Sequence, residues 1–375
     1  TVTLWDAGEF IVAARTLGIP HPPGTPLFVL LGNAWGQVVA LGEYAWRLNL
    51  MSATFSAAGA GCLFLVAHEV LREEAPVLRL GGAAAAAVLS AFTVTAWQNS
   101  NETEVYMVAT FSIAAVAWLC LRWRAARGTP RAAHLLLLIV YLLALSIGNH
   151  LMALLVGPAV AAFLVHTLRT APAADPGERR VEWSEAVTVM VLWVALVAAG
   201  LGHTTLLVLS GLALAAAVVY AAGARAALFP LVAVVVAAVG VSTYAFLYIR
   251  SGLDPVLDMA DPETWQSLLS VIRREQFDPR QPWDHPLLRV NPDHRIRTPL
   301  IFLQQIVNYV QYFDWQWAAG IMRGVPAGLT PRIVFTVLFA GLGIVGLGTL
   351  RRRDRPAYTL LLVLWLITGI GLVVY

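Results

Sequence analysis

The chain has 375 residues, 59% of them hydrophobic and only 13% charged, with a formal net charge of +3. A soluble domain of ordinary composition carries about a quarter charged residues, so a soluble enzyme of one or two domains is excluded in favour of a membrane-embedded chain. Every basic side chain is an arginine, set in short patches between apolar runs, which argues against nucleic acid as a partner.

In chain order, the first 47 residues mix polar motifs with one apolar run over 25–41, which is interrupted by Gly32, Asn33, Gly36 and Gln37. This run reads as a helix lying at the membrane interface and not crossing. Apolar runs long enough to cross a hydrocarbon core of about 30 Å then follow near 48–71, 80–98, 104–121, 134–149, 151–168, 184–201, 203–221, 226–249, 331–350 and 357–375. The expected fold is all-α: a polytopic transmembrane helix bundle with interfacial helices and one long outer loop. As one domain over 1–375, it divides into a first outer loop (1–47), a bundle (48–249), a long loop (250–330) and C-terminal transmembrane helices (331–375). Phe302 to Trp317, late in that loop, has the aromatic and amide content of an interfacial helix. The chain opens with Thr1 and stops at Tyr375 inside an apolar run, so trimming at both ends is expected.

The arginines orient these spans. Arg72 and Arg79, Arg122 to Arg131, Arg169 to Arg180, Arg225, and Arg351 to Arg355 all fall in connections on one side, which the positive-inside rule makes cytoplasmic. The opposite, extracytoplasmic connections are 1–47, 98–104, the Gly148-Asn149-His150 break, the Gly202-His203 break and 250–330. Cys62 and Cys120 lie inside apolar runs, and neither has a second cysteine at metal-binding spacing.

The outer side also collects the candidates for chemistry. In Trp5-Asp6-Ala7-Gly8-Glu9-Phe10 the two carboxylates stand three apart and can share a helix face. Either could act as a general base toward an acceptor hydroxyl. The alternative is a capping box, with Asp6 as N-cap and Glu9 bonding back. His21, in His21-Pro22-Pro23-Gly24, is either a substrate contact or a turn-former. Glu104 and Tyr106, in Asn101-Glu102-Thr103-Glu104-Val105-Tyr106, stand at the outer start of a span, where acidic residues also favour the helix dipole. Asn101-Glu102-Thr103 matches a glycosylation sequon, a common pattern. His150 interrupts an apolar stretch, as a substrate contact or as a partner for the broken backbone. Arg273 and Arg274, followed by Glu275, Gln276, Phe277 and Asp278, suit a phosphate group unless they are ordinary loop charges. No ligand spacing demands a metal, although this many carboxylates could hold a divalent one.

These blocks, with Leu17-Gly18, His21-Pro22-Pro23-Gly24-Thr25-Pro26-Leu27, Gly148-Asn149-His150-Leu151 and Arg274-Glu275-Gln276-Phe277, occur in an order that resembles a known family. The chain is similar to bacterial relatives of the eukaryotic transmembrane O-mannosyltransferase that modifies plexin-type IPT domains, a group that looks like a branch of the GT-C glycosyltransferases. The resemblance implies a GT-C-type bundle in a bacterial inner or plasma membrane. Its donor would be a sugar, mannose in the family, on polyprenyl or dolichyl phosphate. The sugar would pass with inversion to an acceptor hydroxyl, such as a Ser or Thr of a secreted or envelope protein, at the extracytoplasmic face. It places Asp6 near the reacting centre. Classical protein O-mannosyltransferases have adjacent Asp-Glu there, whereas here Asp6 and Glu9 are separated, which leaves open which is the base. The competing readings are a lipid or sugar transporter, with polar groups at mid-membrane depth and on both faces, and a non-catalytic envelope scaffold.

Overall fold

A computed structural model describes residues 6–170, 175–223, 226–277, 283–285, 296–319 and 329–374. Trp5, Arg225 and Asp278 lie outside the described residues. The described chain is helical, with isolated β-bridges such as Ile19 with Asp258 but no strand.

Two short helices come first: α1 (Ala7–Thr16) and α2 (Pro26–Val38). At 1.5 Å per residue α2 is only about 20 Å long, too short to cross a bilayer, as expected for an interfacial helix over 25–41. Then follow α3 (Tyr44–Val70), α4 (Pro76–Ala91), α5 (Val94–Ser100), α6 (Tyr106–Ala126), α7 (Pro130–Ile147), a 3₁₀ segment (Leu151–Val156) running into α8 (Gly157–Thr170), α9 (Pro176–Gly200) and α10 (Thr204–Gly223). The bundle continues with α11 (Leu228–Val241), α12 (Ala245–Ser251), α13 (Trp265–Ile272), α14 (Pro299–Asp314), α15 (Leu329–Arg353) and α16 (Arg355–Leu366), which ends in a π-turn (Ile367–Gly371) before α17 (Leu372–Val374). Among the described residues, eight helical stretches are long and apolar enough to span a membrane. The run expected over 80–98 is instead two helices, α4 and α5, bent by 67°. The bend has a local cause: after Phe92 the Thr93 side chain accepts from Ala96 N–H and caps a new helix. The last run gives the shorter apolar helix Arg355–Gly371.

Helix starts follow the sequence chemistry. Proline occupies the first turn of α2, α4, α7, α9, α14 and α16, where its missing N–H costs nothing. Asp175 and Asp354 cap α9 and α16 through Gly177 and Ala357 N–H. The core is built by α6, α7, α8, α9 and α11, with Trp123, Leu136, Ile139, Phe163, Val189 and Ala233 all essentially buried. By contrast α10 and α15 expose Val208, Leu212, Val337 and Leu342. Helices with apolar side chains turned outward over their full length need a lipid surround. The chain is an integral membrane protein.

Ion pairs gather the arginine-rich connections at one end. Arg124 makes a two-pronged bond to Asp354 at 2.5 and 2.6 Å, Arg127 one to Glu182 at 2.9 and 2.7 Å, Arg122 reaches Glu69 at 3.3 Å, and Arg353 pairs with Glu74. The connections expected on the other side are tied together just as directly. Leu27 N–H donates to Gly148 O at 2.7 Å, Asn149 Nδ2 to Val105 O at 3.0 Å, and Arg250 to the carbonyls of Leu17 and Thr16 at 2.7 and 3.0 Å. Gly202, in a left-handed conformation (φ 66°), lies so close to the Arg273 backbone that a Cβ would sit 2.7 Å from its Cα. The two groups of connections drawn from arginine placement are therefore the two ends of the bundle.

Candidate functional site

The site is assembled at the end opposite the arginines. Asp6 precedes the first turn of α1 but makes no capping bond, and Glu9 does not reach back to it. Instead Glu9 bonds across the turn that follows α1: its carboxylate accepts the His21 backbone N–H and lies 3.2 and 3.1 Å from His21 Nδ1. The capping-box alternative does not form. Glu9 and His21 hold one another, while the Asp6 side chain is exposed and, among the described residues, without a hydrogen-bond partner. Phe10 packs on His21 and Phe28, with ring centroids 5.6 and 5.3 Å apart, fixing α1 against α2. Asp6, Glu9 and His21 each offer an atom within 4.8 Å of the others. This set could hold a divalent cation, although the Glu9–His21 bond accounts for much of the closeness.

Glu104 comes to the same place from the start of α6 and is only 6% exposed. Burial, then the nearby Asp6 and Glu102 carboxylates, push its carboxyl up to about 7, against a bond from the Val105 backbone. Thr103 ties this turn to α3 by donating to Asn49 Oδ1 at 2.6 Å. Two residues beyond Glu104, Tyr106 meets the His150 ring edge-on at a centroid distance of 5.6 Å. His150 Nδ1 accepts Met152 N–H at 3.1 Å and caps the 3₁₀ segment, so in the neutral ring Nε2 carries the hydrogen. Burial, then the Arg274 guanidinium, lower the imidazole to about 4, which keeps it neutral around pH 7.

His150 and Arg274 stand at one side of a cavity of about 490 Å³ whose remaining wall is apolar: Leu151, Leu155, Pro158, Trp193, Leu201, Ile367 and Leu372 among others. The two arginines of the sequence motif separate here. Arg274 adopts a left-handed backbone (φ 56°) and lines the cavity. Arg273 packs its backbone on Gly202 and directs its head to Glu275 at 3.7 Å, in a largely exposed pair. Gln276 is exposed and reaches Ser270 Oγ at 3.5 Å. The structure thus brings Asp6, Glu9, His21, Glu104, Tyr106, His150 and Arg274 into one continuous line, with Arg273, Glu275 and Gln276 beside it.

Sequence reasoning missed two contributors. Asn149 joins the break after α7 to the start of α6, and its buried Oδ1 has no partner among the described residues. Trp193 donates to Leu154 O at 2.9 Å and forms a cavity wall. Asn149 carried a signal, being an amide inside an apolar stretch; Trp193 carried none.

Fold and site together define a polytopic helical membrane protein with a carboxylate, histidine and arginine site at one face, opening onto an apolar cavity. Residues 6–173 match the family described as the protein O-mannosyl-transferase TMEM260 N-terminal domain. A Mus musculus protein named protein O-mannosyl-transferase TMEM260 is 36% identical over 121 residues, 32% of this chain and 16% of the mouse protein. A Dictyostelium discoideum protein of the same name is 34% identical over 65 residues, 17% of this chain and 8% of that protein. The similarity thus spans a small part of these relatives. The matched family region holds Asp6, Glu9, His21, Glu104, Tyr106 and His150, but not Arg274. No solved structure matches the chain.

Proposed function

We propose that the chain is the membrane-embedded catalytic part of a GT-C-type glycosyltransferase that moves mannose from a polyprenyl or dolichyl phosphate to a hydroxyl of a protein acceptor. The observation that carries the reading is the pairing of an uncommitted carboxylate, Asp6, with an apolar cavity that has Arg274 and His150 at its edge. A lipid-phosphate sugar has matching chemistry: an isoprenoid chain for the apolar wall, a phosphate for the guanidinium and the Nε2–H donor, and a sugar extending toward the carboxylates. The names of the similar proteins supply mannose and a protein acceptor. The positive-inside rule supplies the face, with the site extracytoplasmic.

In this mechanism Asp6 takes the proton of the acceptor hydroxyl as its oxygen attacks the anomeric carbon. The new carbon–oxygen bond forms on the side opposite the phosphate, the old one breaks, and the phosphate leaves with the electron pair, inverting the centre. The leaving phosphate is already charged and needs no general acid, only positive and hydrogen-bonding partners; Arg274 and His150 supply them. Glu9, held by His21, positions α1 and is the second candidate for base. No resident cofactor enters these steps.

The test is sugar transfer by purified protein from synthetic polyprenyl-phosphate mannose to a panel of serine- and threonine-containing peptides. Asp6→Asn keeps side-chain size and removes basicity; it is expected to lower turnover by roughly 10²–10⁴-fold with donor binding unchanged and the unfolding temperature not lowered. A larger loss in Glu9→Gln exchanges the roles of the two carboxylates. Full transfer by the Asp6/Glu9 double variant would refute the mechanism.

A further inference from the structure

A second cavity, of about 860 Å³, lies at the other end of the bundle, between the ends of α3, α6, α8, α15 and α16. From Asp6 it is separated by the length of α3, 27 residues or about 40 Å, so it is independent of the proposed catalytic site. Its charges do not cancel. The three carboxylates on its wall are already engaged: Asp354 by Arg124, Glu74 by Arg353, and Glu73 by Arg72 at 3.9 Å. The guanidiniums of two further lining arginines, Arg352 and Arg355, have no hydrogen-bond or ion-pair partner among the described residues. The same wall also carries the apolar Val70, Leu71 and Leu350. At Gly346, also on the wall, a Cβ would meet nothing within 4 Å.

A basic recess with two uncompensated guanidiniums, continuous with an apolar wall between membrane helices, has the chemistry of a phospholipid headgroup site. We propose that this cavity binds one anionic phospholipid, its phosphodiester between Arg352 and Arg355 and its acyl chains along α3 and α15. The lipid would hold the α15–α16 turn against α3 and α6, where the Arg124–Asp354 bond already does part of that work.

The experiment is native mass spectrometry of the purified full chain, delipidated and titrated with phosphatidylglycerol, with phosphatidylcholine or with inorganic phosphate. The expected result is one retained phosphatidylglycerol, weak retention of phosphatidylcholine, and no displacement by millimolar phosphate. Arg352→Gln/Arg355→Gln should lower phosphatidylglycerol affinity tenfold or more, since each basic group near a lipid surface contributes severalfold. Arg351→Gln, which removes an adjacent exposed charge outside the cavity, should leave it unchanged. Gly346→Phe, which fills the apolar side without altering charge, should also lower it. Equal effects of the Arg352/Arg355 and Arg351 variants would reduce the site to general surface charge and overturn the proposal. So would displacement by inorganic phosphate, which marks a free-anion site, or full retention in Gly346→Phe. Unfolding temperatures in phosphatidylcholine, expected to be equal for all variants, separate lipid loss from misfolding.

Discussion

Replacing Glu104 by glutamine tests the electrostatics of the site without any assay of transfer. Glu104 is 6% exposed, and its carboxyl is raised from an ordinary 4.5 to about 7 by burial, then by Asp6 and Glu102. At 1.36 kcal/mol per tenfold change in acidity, that gap is of order 3 kcal/mol of folding energy withheld from the ionised form. The sign follows from which state ionises first. Below pH 4.5 both folded and unfolded chains carry the neutral acid and nothing is lost. As pH rises the unfolded chain ionises first, so stability falls between 4.5 and about 7 and is level above. Glutamine is neutral throughout and about the same size. Glu104→Gln should therefore melt with the parent protein near pH 4.5 and several degrees above it at pH 8, in detergent-solubilised protein followed by tryptophan fluorescence. Asp6→Asn should reproduce part of the gain, because it removes one of the two neighbouring charges. Parallel melting curves for parent and Glu104→Gln across this range, or a glutamine variant less stable at pH 8, would refute the account of a carboxyl strained by burial and like charge.

Arg274→Gly removes the guanidinium while relieving a left-handed backbone (φ 56°) that glycine adopts freely. Binding of a polyprenyl-phosphate sugar should fall at least tenfold with unfolding temperature held or raised, and Arg274→Lys should recover only part of it; unchanged binding would assign Arg274 to structure alone. Removing that charge should also raise the His150 imidazole from about 4, while burial keeps it below the ordinary value, as read by NMR of ring-labelled histidine. For topology, single cysteines at the exposed positions Val12, Asn101 and Met259 should react with an impermeant maleimide from outside intact cells, and one at exposed Thr129 should react only after lysis. Labelling of Val12→Cys from the cytoplasm alone would place Asp6 on the wrong side for an extracytoplasmic acceptor.

The spans were legible because desolvating a backbone in lipid demands an unbroken apolar helix, and such runs cannot be hidden in a sequence. The run read at 203–221 is Thr204–Gly223, and that at 134–149 lies within two turns of Pro130–Ile147. What hydropathy could not show was direction: α4 and α5 are apolar enough for one span, and only the Thr93 cap turns the chain by 67°. The site divides in the same way. Its polar members announced themselves because a carboxylate or imidazole in so apolar a chain is costly unless it is used. Its apolar wall did not, since Trp193 and Ile367 look like any other lipid-facing or core residue until three distant segments converge. Local spacing also failed between Arg273 and Arg274, which are equivalent in sequence and separated only by the contact with Gly202. The decisive case is Glu9. Its distance of three residues from Asp6 is equally good for a capping box and for a shared catalytic face, and helix geometry alone does not choose. The choice is made by His21, twelve residues away, whose backbone N–H and ring both meet the Glu9 carboxylate. That turn engages the Glu9 carboxylate, while Asp6, in a helical backbone conformation (φ −67°, ψ −11°) with no side-chain capping bond, keeps its carboxylate exposed for the role proposed for it.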